Sequence, residues 1–231
     1  MSEIRVVDLG RRPYQPVLDL QRALVRARLE GSLTSDLLLL VEHQPVVTLG
    51  RGTRESSLPI SRPALEARGF DVVEVERGGD VTVHAPGQLV GYPIIDLQSY
   101  RPDLHWYLRQ LEEALIRALG ALGIEAGRNP GLTGVWVGPR KIASIGVHVK
   151  RWVTLHGFAL NVMTDLSAFD VVVPCGISGV VMTSVEREAG GRTDGLWSAT
   201  REAVIAGFGA AFDRSMVSRN LQDLPGVQSA I

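Results

Sequence analysis

Apolar positions recur along the chain with two periods, and the switches between them mark out its elements. IRVVDLG (residues 4–10) is a short strand run. Residues 16–31 then carry Leu18, Leu20, Ala23, Leu24 and Leu29 at helical spacing, closed by Gly31. DLLLLVEHQPVVTLGRG (36–52) predicts a buried strand, a turn at Gln44-Pro45 and a second strand. Residues 53–70 are polar, with two prolines, and predict a loop with one helical turn at ALEARG. Residues 71–97 alternate apolar and polar positions and break at Gly78-Gly79 and at Pro86-Gly87, giving three strands. A helix follows over 104–122, capped by Asp103, with Leu104, Leu108, Leu111, Leu115, Leu119 and Leu122 as its stripe. Four strands are predicted at 133–138, 141–151, 153–162 and 171–174. A last helix spans about 195–213, with Thr193 or Asp194 as its cap, and the polar tail after Ser218 is expected to be loose.

Three helices separated by runs of strands, without repeated βαβ alternation, define an α+β fold: a mixed, mostly antiparallel sheet packed by helices. The 231 residues are expected to form one domain, 1–231. With 45% hydrophobic and 21% charged residues the composition is that of an ordinary globular chain. A net charge of −1 gives no whole-molecule attraction to nucleic acid or to anionic lipid, so neither is expected as a partner. The N-terminal stretch lacks the apolar core of a secretion signal, and the longest apolar run, LLLLV at 37–41, has the length of a buried strand. The expected compartment is the cytoplasm. One cysteine permits neither an internal disulfide nor a cysteine-pair metal site.

That cysteine, Cys175, lies in VVVPCGI. A lone cysteine is commonly a small core side chain. Here Pro174 favours ending the strand, and Gly176 allows a sharp turn that leaves the sulfur uncovered, which suits a nucleophile. A thiol needs a base or a cation to become a thiolate near neutral pH. The basic residues number 24, and only Lys141 and Lys150 are lysines. Lys150, beside Arg151, reads as a surface residue. Lys141 opens a strand after Gly138-Pro139 and precedes the small residues Ala143, Ser144 and Gly146. A lysine over a partly dry pocket can exchange its proton, which arginine does not do. A solvated strand-end lysine is the alternative. The five histidines, His43, His84, His105, His148 and His156, are each, taken alone, more often structural than catalytic, and His156 before Gly157 reads as part of a turn.

RGGDVTVHAPGQLVGYP (77–93) is the densest motif. Gly78 and Gly79 let a turn present backbone N–H groups to a ligand. Val81 and Val83 share one face of the following strand, and Thr82 and His84 the other. An ordinary Gly-Gly hairpin is the simpler reading, but it leaves the clustering of Arg77, His84 and Gln88 unexplained. Phosphate-loop, dinucleotide, zinc-protease and serine-hydrolase motifs are absent, so no cofactor and no metal is expected.

Taken together, EHQPVVTLGR, RGGDVTVHAPGQLVGYPIIDL, RKIASIGVHV, LHGFALNV and VVPCGI resemble the lipoyl(octanoyl) transferase family, in family order over about residues 36–185. Ala85 stands where relatives usually carry glycine. The resemblance implies the fold of biotin and lipoate protein ligases, and transfer of an octanoyl group from octanoyl-acyl carrier protein to a lysine of a lipoyl domain, the first step of endogenous lipoate biosynthesis. The acceptors it implies are the lipoyl domains of 2-oxo acid dehydrogenase complexes and the glycine cleavage H protein. It assigns Cys175 as the acyl-accepting nucleophile and Lys141 as the acid/base that lowers the thiol pKa. It assigns the substrate site to Arg77, Gly78, Gly79, Asp80, Val81, Thr82, Val83, His84, Ser144, Ile145, Gly146, Gly157, Phe158 and Ala159. Backbone N–H groups near Gly78, Gly79 or Gly176 are candidate oxyanion donors. Arg51, Arg54 and Arg151 are a candidate patch for an acidic carrier protein, and a monomer is expected. An ATP-dependent lipoate ligase of the same fold, a cysteine amidase or thioesterase, and a non-catalytic acyl-carrier-binding module are the alternatives.

Overall fold

The structure is a computed structural model, and it describes residues 3–173 and 179–224. In chain order its elements are β1 (Glu3–Arg12), α1 (Tyr14–Leu29), β2 (Asp36–His43), β3 (Val46–Leu49), α2 (Arg62–Glu66), β4 (Asp71–Glu74), β5 (Val81–His84), β6 (Gln88–Ile94) and α3 (Leu104–Ala121). There follow β7 (Gly127–Asn129), β8 (Leu132–Val137), β9 (Arg140–Lys150), β10 (Val153–Asn161), β11 (Val181–Met182), α4 (Val185–Glu188), α5 (Leu196–Phe212) and β12 (Ser215–Ser218).

Among the described residues these strands make two sheets. The larger has nine strands in the order β12-β1-β2-β6-β10-β9-β8-β7, with β11 added beside β9. The smaller is β4-β3-β5. The central pairs β2–β6, β6–β10, β10–β9 and β9–β8 are antiparallel, and parallel pairing is confined to β1–β12, β1–β2, β11–β9 and β3–β4. The α+β expectation of a mixed, mostly antiparallel sheet packed by helices therefore holds.

Both faces of the large sheet are covered, which is why β2 reads as an unbroken apolar run. Leu38 and Leu40 pack with α3 and α5, while Leu37, Leu39 and Val41 pack with α1. A third cluster joins the small sheet, through Val47, Val81 and Val83, to Leu65, Phe169, Val171, Val172 and Met182. Helices α3 and α5 approach closely, and a Cβ on Gly207 would meet the Ala114 carbonyl. Phe208 and Phe212 stack at 4.5 Å beside that crossing.

Asp103 caps α3 as expected, accepting the Trp106 N–H at 3.1 Å. Several local expectations are corrected. Leu104, at the open first turn of α3, is 42% exposed and leaves the apolar stripe. Neither Thr193 nor Asp194 caps α5 with its side chain. Gly195 takes the cap position in the left-handed region, and Thr193 contributes only its carbonyl, to the Leu196 N–H at 3.1 Å. The valine run at 171–173 is not a strand. It ends a 3₁₀ turn, Leu166–Val171, whose start is capped by Asp165, and Val171 and Val172 are buried against the small sheet without joining it. β-branched residues fit any buried apolar niche, so their run alone did not discriminate. Pro174 lies outside the described residues. Residues 219–224, expected loose, are held: the Arg219 N–H donates to the Val6 carbonyl and Leu224 is buried against the α1 side.

The Gly78-Gly79 break is no hairpin. β4 and β5 never pair with each other, because β3 runs between them, parallel to one and antiparallel to the other. The 75–80 stretch is thus a crossover over the end of β3, free to lie against β9.

Strands β6 and β10 approach through glycines. A Cβ on Gly157 would fall against the Gly91 carbonyl oxygen and 2.6 Å from Cδ of Pro93, so nothing larger than hydrogen fits. Gly157→Ala is expected to cost about 1–3 kcal/mol through overpacking. At about 2–4 °C per kcal/mol the melting temperature should fall by several degrees. An unchanged melting temperature would show that β6 and β10 can separate freely.

Candidate active site

A cavity of about 210 Å³ opens where the crossover and the start of β5 face β9 and β10. The crossover is fastened first by its own arginine. The Arg77 guanidinium is buried and donates to the carbonyls of Gly78 (3.1 Å), Asp80 (2.7 Å) and Thr48 (2.7 Å), and to the Thr48 hydroxyl (2.9 Å). Asp80 accepts from the Val81 N–H at 2.7 Å and from the Ser57 hydroxyl at 2.6 Å. Gly50 and Gly52 press on the Gly79 carbonyl, so the glycine–arginine stretch at 50–54 is partly a seat for this crossover. The Gly78 N–H donates to the Val147 carbonyl at 2.9 Å, which ties the crossover to β9 and removes that N–H from the candidate oxyanion donors.

The cavity wall gathers Arg77, Gly78, Gly79, Asp80, Val81, Thr82, His84, Lys141, Ser144, Ile145, Gly146, Gly157, Phe158 and Ala159. Val83 is not brought to it. It is fully buried in the small-sheet core, on the face of β5 that it shares with Val81. Cys175 lies outside the described residues. Met182, seven positions further along the sequence, is the register partner of Lys141, and the Thr183 N–H donates to the Lys141 carbonyl at 2.9 Å.

Lys141 is not a solvated strand-end residue: it is 2% exposed. Its Nζ stands 5.5 Å from the centroid of the Trp136 ring, within range of a cation–π contact. Gly134, at φ +130°, leaves the room the side chain needs, since a Cβ there would stand 2.8 Å from Lys141 Cε.

Sequence reasoning missed the aromatic wall of the cavity. Tyr14 of α1 and Tyr92 of β6 line it, and with His43 and His84 they form a cluster of rings 5.1–5.8 Å apart, in which Tyr14 and His84 stack and the other pairs are tilted. The signal was weak because these four residues are spread over 79 positions, three strands and a helix. His43 Nδ1 lies 2.9 Å from the Arg12 carbonyl and must donate to it, so Nε2 accepts from the Tyr92 hydroxyl at 2.8 Å. His84 Nδ1 donates to Gln88 Oε1 at 2.7 Å, and Gln88 Nε2 donates to Asn161 Oδ1 at 2.9 Å. Asn161 Nδ2 donates in turn to the Thr183 carbonyl at 3.0 Å. A chain of side-chain hydrogen bonds therefore connects His84 to Thr183, whose N–H donates to the Lys141 carbonyl.

His156 sits within β10, not in a turn, at φ +60°, a strained setting for a residue with a Cβ. Its N–H donates to Gln21 Oε1 at 3.0 Å, and its Nε2 lies 3.5 Å from Glu76, which Arg22 grips with two bonds of 3.0 Å. Helix α1 thereby braces the crossover and the strand at once.

Burial sets the charge state of the ring cluster. It pushes His84 down to about 3 and His43 to about 4, and it pushes Tyr14 up to about 12. His156 and His148 are also lowered, again mainly by burial. At neutral pH the cavity wall is thus uncharged at these rings, which suits an apolar occupant.

The family model described as the lipoyl protein ligase A/B catalytic domain matches residues 13–212. The chain is 51% identical over 169 residues to an octanoyltransferase of Nostoc punctiforme, covering 73% of this chain and 72% of that one. It is 55% identical over 170 residues to an octanoyltransferase of Solibacter usitatus, covering 74% and 77%. A third octanoyltransferase, from a Nostoc sp. strain, is 45% identical over 208 residues, covering 90% and 91%. Among solved structures, a lipoate-protein ligase A bound with ATP superposes with a TM-score of 0.77 at 20% identity, covering 100% of this chain and 92% of that one. A bi-partite lipoate protein ligase of Thermoplasma acidophilum superposes with a TM-score of 0.74 at 20% identity, covering 100% and 91%. These superpositions identify the fold as that of the lipoate protein ligases.

The depressed histidines make a pH prediction. An unfolded histidine takes a proton near 6.5, while His43 and His84 in the fold resist it down to about 4 and about 3. Protons therefore favour the unfolded chain, and stability should fall as pH drops below 6.5. Denaturant midpoints at pH 7 and pH 5 should show the loss, and the ring signals of both histidines should stay neutral at pH 5 in NMR. Either ring titrating near 6.5 contradicts the buried, uncharged wall.

Proposed function

The chain belongs to the family of lipoyl protein ligase A/B catalytic domains and is a transferase enzyme, and from that membership and the geometry of its cavity we propose octanoyl transfer through a cysteine thioester. The donor is octanoyl-acyl carrier protein and the acceptor a lysine amine of a lipoyl domain, and residues 1–231 act as one catalytic domain. The observation that carries the reading is Lys141: a lysine 2% exposed, on the wall of a cavity lined mostly by glycines, aliphatic side chains and neutral rings, with Arg77 and Asp80 engaged in holding the crossover.

The sequence of steps uses one thiol and one amine. Lys141 takes the proton of the Cys175 thiol, and the thiolate attacks the carbonyl carbon of the octanoyl thioester. The carbon–sulfur bond to the carrier breaks, and the carrier thiolate receives the proton from Lys141. The octanoyl group is then a thioester of Cys175. An acceptor lysine, entering as the free amine, attacks that carbonyl, and Lys141 takes the proton it sheds. Cys175 leaves as the thiol after reclaiming that proton, and the product is an amide. The first exchange is close to isoenergetic and the second runs downhill, so neither needs ATP. The acyl tail contributes about 0.8 kcal/mol per buried CH₂. Val81, Val90, Ile145, Phe158 and Ala159 supply the apolar wall for it. Ser144, Gly146 and residues 77–82 frame the thioester end. Arg51, Arg54 and Arg151 are exposed and available to an acidic carrier.

Intact-mass measurement after mixing with octanoyl-acyl carrier protein, without ATP, should show one octanoyl adduct. The adduct should vanish in Cys175→Ala, and its persistence there would remove Cys175 from the reaction. Lys141→Arg keeps a cation but cannot return a proton, so turnover should drop on the order of 10²–10⁴-fold. Near-normal turnover in that variant would leave Lys141 as a binding residue only.

A further inference from the structure

Glu112 is a fully buried carboxylate in α3 that no step above uses. Its Oε2 accepts from Arg109 Nη1 at 2.6 Å and from Arg128 Nε at 3.0 Å. Its Oε1 accepts the backbone N–H of Gly134 at 3.1 Å. Gly134 is the residue whose missing side chain makes room for Lys141. A Cβ there would stand 2.8 Å from Lys141 Cε, 3.4 Å from Nζ and 2.7 Å from the Ala143 carbonyl.

One step further along β8 the ladder is irregular. Val135 pairs with Ala143 but Trp136 pairs with Lys141, so Ile142 is an extra residue of β9 opposite β8. Such a bulge re-aims the neighbouring side chain. The Trp136 ring, carried by the same strand, lies 5.5 Å from Lys141 Nζ. The Lys141 side chain thus runs over the Gly134 backbone and beside the Trp136 ring, at the point where β8 and β9 slip out of register.

From this arrangement we infer that Glu112 is a positioning residue for Lys141, acting through the Gly134 N–H. It fixes β8 beneath the lysine side chain, and the two arginines fix the carboxylate. A buried carboxylate gripped by two guanidiniums is poor value as glue, since apolar packing of the same volume commonly stabilises as well or better. What the carboxylate supplies that a leucine cannot is an acceptor for one particular backbone N–H. That N–H belongs to the glycine under the lysine.

The inference rests on Lys141 as the acid/base of the proposed transfer, but its direct readout does not. The chain has two lysines, so ¹³Cε-labelled lysine gives two side-chain signals, assigned with Lys150→Arg. In Glu112→Ala the Lys141 signal and its titration should move while that of Lys150 stays. The kcat should fall about 10–100-fold, as a misplacement on the order of 1 Å does, with KM for the carrier substrate little changed. The pH–rate limb that depends on Lys141 should shift, and Glu112→Gln, which keeps an oxygen acceptor for Gly134, should recover most of the rate. If Glu112→Ala does not fold, Arg128→Gln removes one anchor of the same carboxylate at a partly exposed side chain. It should move the Lys141 signal in the same direction with a several-fold loss of kcat. A folded variant of either kind with an unmoved Lys141 signal and unchanged kcat overturns the positioning role. If Lys141→Arg proves active, the transfer mechanism fails instead, and the lysine signals still report whether Glu112 seats Lys141.

Discussion

The close antiparallel ladder of β6, β10 and β9 is the constraint on which the rest of the molecule depends. Every position of β10 is buried, and Gly157 and Gly91 meet so tightly that one methyl group between them has no place. The Phe158 ring lies across Gly91, so the two strands lock rather than slide. With that ladder fixed, β9 presents Lys141, Ser144 and Gly146 along one line, and the crossover closes over them through the Gly78–Val147 bond. The helices cover the ladder from both faces, and α1 adds Tyr14 to the cavity wall.

Charge is distributed around this ladder by a simple division. Cations next to the cavity are satisfied by backbone carbonyls or aromatic faces, as Arg77 and Lys141 illustrate. Asp80 on the wall is held by a hydroxyl and a backbone N–H, and the carboxylates Glu76, Glu112 and Glu188 are paired with arginine. Rings at the wall are stripped of charge by burial. The outcome is an enclosure in which a proton can matter because few other charges compete with it.

Much of this was legible in the sequence because period-2 and period-3.6 patterns are imposed by burial itself. The unbroken β2 run, the alternation of Val81 and Val83 against Thr82 and His84, and the Asp103 cap are local consequences of local residues. What could not be read is what depends on partners distant in the chain. The separation of β4 from β5 by β3 is a fact of topology, and a Gly-Gly break looks the same in either case. Val171 and Val172 carry strand propensity yet fill a niche against the small sheet. Lys141 could be suspected from its scarcity, but its seat needs Glu112, twenty-nine positions earlier, which on a helical wheel resembles any other acidic residue. The ring cluster of Tyr14, His43, His84 and Tyr92 is likewise assembled only by the sheet.

The scarcity of lysine has a consequence beyond the cavity. Under the proposed transfer the protein would carry an activated acyl group and hand it to amines, which would expose it to its own amines. Here 22 of the 24 basic side chains are guanidiniums, which stay protonated and do not take up acyl groups under such conditions. One of the two side-chain amines is sealed into the wall, and the other, Lys150, lies at the end of an exposed hairpin. The surface keeps its positive charge while offering almost nothing to self-acylation, a protection built into composition rather than into any contact.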